Sequence, residues 1–129
     1  MSYENSFGHP CDFRVTYEFE PPEKGGRKSS PFQGYRSDFW YQHVGNNPVR
    51  MEEVYMIWPE FEDEKGNVRE IADWIPVRGT ARMWVVIPKM RIYHRTKLKL
   101  HAEGYMMEGN RRVAKCHIIE IVGLMTNPE

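Results

Sequence analysis

From Asp12 to Glu20 the chain alternates without a break: Phe13, Val15, Tyr17 and Phe19 are interleaved with Asp12, Arg14, Thr16, Glu18 and Glu20. Successive side chains of an extended chain point to opposite faces. The pattern therefore predicts a strand with one aromatic, core-facing side and one wet side. Pro21 and Pro22 end it, because neither can donate to a ladder. The run Glu23–Pro31, EKGGRKSSP, then has the composition of a loop.

The same punctuation continues down the chain. Asp38–Val44, dense in aromatics, predicts a second strand, followed by a turn at Asn46, Asn47 and Pro48. Glu53–Trp58 predicts a third, closed by Pro59. Arg82–Ile87 (RMWVVI) is apolar on both faces, as a strand covered on both sides requires, and Pro88 closes it. Lys97–His101 and Tyr105–Glu108 predict further extended segments with a bend at Gly104, and Arg111–Val122 predicts a long final strand after a Gly109–Asn110 turn. Several strands at short spacing, with Gly and Pro turns and no amphipathic helix, predict an all-β antiparallel sandwich or barrel. Residues 1–11 look like a flexible, unanchored arm, 12–123 form the barrel, 60–79 form an inserted segment, and 124–129 form a tail.

At 129 residues the chain is one domain's worth, with 40% hydrophobic and 28% charged residues. No run approaches the length of a membrane helix, so no membrane role is expected. The start, MSYENSFGHPCDF, has neither a basic region nor an apolar core, and Cys11 and Cys116 do not make a disulfide framework. A reducing, cytoplasmic setting is expected. Eighteen basic residues balance 18 acidic ones, which argues against coating nucleic acid by charge alone. The charge is unevenly distributed: Glu60, Glu62, Asp63 and Glu64 make an acidic knot, with Glu52, Glu53, Glu70 and Asp73 around it in sequence. Lys89, Arg91, Arg95, Lys97 and Lys99 make a basic ribbon. The first expectation for such runs is a solvated face.

Catalytic signatures are missing from the sequence. There is no phosphate loop and no Gly-x-Ser-x-Gly elbow, and the Gly25–Gly26 pair is better explained by a tight turn than by an anion cradle. The histidines at 9, 43, 94, 101 and 117 lack metal-ligand spacing, and His43 and His117 are expected to be structural. Cys116 and His117, adjacent on a strand, face opposite ways and cannot form a nucleophile pair. We expect no enzyme, no cofactor and no metal.

Three segments carry a family resemblance. EKGGRKSSPFQGYRSDFWY, Glu23–Tyr41, resembles a stretch of the third domain of bacterial elongation factor Tu, with Gly25, Gly26, Arg27, Pro31, Phe32, Gly34, Tyr35, Arg36 and Phe39 in register. EGNRRVAKCHIIEIV is similar to that domain's final hairpin at Glu108, Gly109, Arg111 and Val113, and ARMWVVIP is similar to a strand between them. The order of the segments is also the family's, and the resemblance spans about residues 12–123. It implies a six-stranded antiparallel Greek-key barrel. The sequence has no counterpart of the family's GTPase domain, so no guanine-nucleotide chemistry is implied.

In the family this barrel helps hold the acceptor and T stem of aminoacyl-tRNA and contacts the nucleotide-exchange factor. The resemblance therefore implies RNA contact by Arg27 and Lys28 in the first loop, and by Glu108, Gly109, Arg111, Arg112 and Lys115 in the last hairpin, with the basic ribbon extending the track. Asp38 departs from the pattern by putting a negative charge where a phosphate would approach, and Ala114, Lys115 and Cys116 replace a Gly-Ala-Gly. Two functions follow, ahead of a third in which the chain is a structural barrel with an unknown small ligand. One is a non-catalytic translation-factor-like module that binds tRNA or another RNA. The other is a protein-interaction module that mimics the factor's barrel as a decoy or immunity-type protein and binds a protein partner of that factor. Trp58, Trp74 and the acidic 60–79 segment suit the second, whereas core packing is the plainer role for both tryptophans. Arg36 is expected to brace its loop through backbone carbonyls.

Overall fold

The computed structural model describes residues 2–47 and 53–129. The Pro48 of the expected turn and the acidic Glu52 lie outside the described residues. Six strands form one antiparallel sheet: β1 Phe13–Phe19, β2 Asp38–Tyr41, β3 Ile57–Phe61, β4 Arg78–Val85, β5 Glu103–Glu108 and β6 Arg111–Ile121. Their order is β2-β5-β6-β1-β4-β3. The sheet curls so that its two outer strands meet at an antiparallel bridge, Phe39 to Tyr55, with N–H···O distances of 2.8 and 2.9 Å. Strands 2, 3 and 4 run in succession around the wall and β1 returns to lie beside β4, which is the Greek-key arrangement.

The alternation in β1 works as the sequence predicts. Phe13, Val15 and Tyr17 are buried in a core shared with Phe39, Tyr41, Ile57, Phe61, Met83, Met106 and Ile118, and Phe19 packs at its margin. Asp12, expected on the wet side, is wholly buried. Its carboxylate accepts from Arg91 Nε (2.7 Å), Val85 N–H (2.8 Å) and Asn127 Nδ2 (2.9 Å). This buried pair ties β1 to a helix that the sequence pattern does not predict.

That helix, α2, spans Met90–Lys97, a stretch given no element above, and the extended segment expected at Lys97–His101 is instead the end of this helix and the turn that follows it. It lacks an apolar stripe because its buried residues are Arg91 and His94, a cation and an imidazole. His101 then turns the chain at φ 71° before β5. The other corrections are local. β2 stops at Tyr41 rather than Val44, because Asn46 accepts from His43 N–H and donates to Tyr41 C=O. β4 begins at Arg78 and ends at Val85.

β3 runs through Pro59 instead of stopping before it. On this strand Tyr55 and Phe61 bond away from β4, whereas Met56 and Glu62 bond toward it. Pro59 thus has its missing donor on the outer edge, where no ladder needs it. Glu60 and Phe61 belong to β3, so the expected 60–79 insertion is a shorter connection, pinned by the bridges Glu62–Val68 and Phe32–Trp74. The N-terminal stretch is a docked helix, α1 Tyr3–Phe7, rather than a free arm. Ser2 caps its start, and Gly8 in the left-handed region closes it.

Candidate interaction surface

The loop after β1 is shaped by two glycines with different duties. Gly25 turns the chain at φ 90°, a conformation that costs a glycine little. Gly26 passes so close to β1 that a Cβ would stand 1.9 Å from Glu20 C=O. This tight turn brings Arg27 across to the β5–β6 hairpin. Arg27 Nη1 lies 2.6 Å from Glu108 Oε2, its Nε donates to Ser29 C=O, and its guanidinium covers the Tyr35 ring at 4.8 Å. The Tyr35 hydroxyl donates to the same carboxylate, and Arg111 Nη2 donates to its other oxygen at 2.6 Å. Burial alone would raise the Glu108 pKa, but Tyr35, Arg27 and Arg111 together hold it below the ordinary range.

Of the residues expected to contact RNA, the fold thus gathers Arg27, Glu108 and Arg111 into one cluster, with Lys28 exposed beside it and Gly109 in the hairpin turn at φ 62°. Glu108 stands between the two arginines and offsets their charge. Arg112 and Lys115 lie apart from this cluster, on the outer face of the hairpin. Arg112 covers the Tyr105 ring at 4.6 Å, and Lys115 pairs with Glu103 at 3.6 Å. Asp38 opens β2 opposite Met107.

The basic ribbon does not form a track. Arg91 is buried, Arg95 donates to Leu124 and Asn127 carbonyls and to Glu129, and Lys97 lies over the Tyr93 ring, which leaves Lys89 and Lys99 exposed. The acidic knot is likewise divided. Glu62 is buried and accepts from Arg14 (2.7 Å), Thr80 (2.7 Å) and Arg82 (3.0 Å). Glu60 is buried under α1. Asp63 accepts from two backbone N–H groups of its own turn, and Glu64 remains exposed.

A surface that the sequence reading only half anticipated lies beside the Arg27 cluster. Trp74, flagged as an interface tryptophan, is 61% exposed and packs on Phe32, itself 46% exposed, with ring centroids 4.0 Å apart. Ile71, 66% exposed, extends the apolar area. The pair sits on a rigid ribbon: Phe32 bridges Trp74, Gln33 N–H donates to Asp73 C=O, and Ile75 N–H donates to Pro31 C=O. A groove of about 500 Å³ runs from these rings past Ser29, Arg27 and Arg36 to Tyr3. Arg36 does not brace its loop as expected but lies over the Trp58 ring at 4.2 Å. Phe32 carries no local signal of exposure, since its partner is 42 residues away in sequence.

Burial pushes the Cys11 thiol up to about 12 and the Cys116 thiol higher still, which disfavours the thiolate that a nucleophile needs. Cys116 is buried while His117 is exposed on the opposite face. His94 is depressed to about 4 by burial. Among the described residues, no three His, Cys, Asp or Glu side chains stand together as a metal site. No family model matches the chain, and no curated protein matches it. The likeness to the elongation-factor barrel rests on the residues quoted for it.

Proposed function

We propose that this chain is a non-catalytic protein-interaction module whose Phe32–Trp74 face is the docking site. The observation that carries this reading is a preformed, solvent-facing aromatic pair on a bonded ribbon, beside a groove bordered by Arg36. Aromatic and arginine side chains are the residues that anchor protein interfaces, and a surface already in its bound geometry loses little entropy on docking. The acidic Glu70 and Asp73, exposed next to Trp74, favour a protein partner over a phosphate backbone at this face. By its resemblance, the first partners to test are those that contact the third barrel of elongation factor Tu.

A second reading, contact with tRNA or other RNA, is supported by the adjacency of Arg27, Lys28 and Arg111. Its weakness is Glu108, which already holds two of the three cations. Both readings meet in one experiment. The chain and its Phe32→Ala/Trp74→Ala variant are immobilised and exposed to cell lysate with and without nuclease. Loss of two exposed rings should change stability by no more than about 1 kcal/mol. The protein reading expects one partner captured after nuclease treatment and weakened about 30-fold or more in the variant. Capture that is indifferent to Phe32 and Trp74 would overturn it. Capture abolished by nuclease, with tRNA binding weakened by Arg27→Glu and Arg111→Glu, would establish the RNA reading instead.

A further inference from the structure

On the outer face of β4, Trp84 follows Arg82 and Thr80 at every second position, where a solvent-facing series is expected, and yet it is 0% exposed. Trp58 stands directly opposite it on β3. The cover comes from residues 3–9: Tyr3 meets the Trp84 ring edge-on at 6.0 Å, Phe7 lies at 5.5 Å and His9 at 5.8 Å, and Tyr3 also approaches Trp58. None of the α1 residues that bury this tryptophan is itself buried. A five-residue helix cannot sustain itself in water, so the sheet holds it in place.

The holding contacts are selective. Glu60, buried, turns one carboxylate oxygen to the Trp84 indole N–H at 3.2 Å and the other to the Tyr3 backbone N–H at 2.8 Å. Tyr3 is the first residue of α1, where the N–H has no partner within the helix and where the dipole favours an anion. Glu4 points its carboxylate toward Arg82 at 3.9 Å. The surface thus recognises a helix start through Glu60, aromatics at the first and fifth helical positions through Trp58 and Trp84, and an acid at the second through Arg82. Gly8 and Pro10 join the segment to the barrel.

We propose that the outer face of β3 and β4 is a receptor for a short aromatic–acidic helix, filled in this chain by its own residues 3–9, and that a segment of the same chemistry from another polypeptide competes for it. Tyr3 also lines the groove beside Phe32 and Trp74, so displacement of α1 would enlarge the docking face proposed above. The receptor itself does not depend on that reading. Because the resident segment is tethered, its effective concentration is of millimolar order and masks the site in the free protein.

The test uses a fluorescently labelled peptide of residues 2–10 and two full-length proteins, the parent chain and Tyr3→Ala/Phe7→Ala. The variant is expected to keep its far-ultraviolet sheet spectrum, to shift its tryptophan emission to the red and to bind the peptide saturably. The parent should bind at least about tenfold more weakly, and adding Glu60→Ala to the variant should weaken peptide binding again. Absence of binding by the variant, equal binding by both proteins, or collapse of the variant's sheet would each overturn the proposal. Phe32 and Trp74 are unchanged in every arm, so failure here is distinct from failure of the docking reading.

Discussion

His94 is wholly enclosed, with Nδ1 2.7 Å from the Tyr41 hydroxyl and Nε2 without a hydrogen-bond partner. Burial lowers its pKa from 6.5 to about 4, so the folded state holds the imidazole neutral while the unfolded chain protonates it first. The associated stability is complete above pH 6.5 and is lost as pH falls from 6.5 toward 4, amounting to about 3 kcal/mol. Chemical denaturation across that range should show this slope, and His94→Gln should remove it. Asp12 gives a second residue-scale expectation. Asp12→Ala would leave the buried Arg91 guanidinium uncompensated and take an acceptor from Val85 and Asn127, at a cost of about 3–5 kcal/mol in urea unfolding. Asp12→Ala/Arg91→Met should cost less than the single change, because no charge is then stranded. Position 12 shows the limit of pattern: alternation marks it as outward, but only the arrival of Arg91, 79 residues later, makes an inward carboxylate stable.

Among the elements, the free side of β3 is the most exposed to error, because an unpaired strand edge invites association. Its outward groups are accounted for in order. Tyr55 bonds Phe39, Pro59 has no donor, and Phe61 is met by the Gln33 side chain, which accepts from its N–H at 3.0 Å and donates to its C=O at 2.9 Å. Gln33→Leu should therefore cost about 1–3 kcal/mol, chiefly for the stranded Phe61 N–H, because Phe61 C=O also accepts from Arg69 N–H. A melting curve with light scattering would check it, and unchanged values would show that this edge needs no cap. The elements also differ in how legible they were. β1 and β6 announce themselves by alternation and flanking turns, whereas α2 hides, because the face it buries is Arg91 and His94 and no apolar period of 3.6 exists to detect. Pro59 misleads for the opposite reason: proline ends a strand only where its donor is needed, and edge position is not a local property.

For the whole molecule, the sheet meets its own edge at Phe39 and Tyr55, and its interior is filled by side chains rather than by a ligand cavity. The groove beside Phe32 and Trp74 is open and superficial, and it is lined largely by loop residues. With no phosphate loop in the sequence, the purified chain is expected to show no GTP binding by calorimetry at micromolar concentration. A measured micromolar affinity would refute the non-catalytic reading of the barrel.

The sequence by itself determined what depends on near neighbours. The period-two face of β1, the hairpin at Gly109, the loop from Pro21 to Pro31 and the predominance of strands all follow from residues a few positions apart. It also brought the first loop and the last hairpin under one suspicion, and Arg27, Glu108 and Arg111 do converge there. Tertiary structure decided the rest. It made Glu108 the counter-charge for both arginines and folded half of the acidic knot into the interior. It pinned the basic ribbon along a helix, and it set Phe32 against Trp74 in the open. Burial and charge compensation draw on partners as far off as 79 residues for Asp12 and Arg91 and 81 for Arg27 and Glu108, and one chain's local pattern carries no record of those distances.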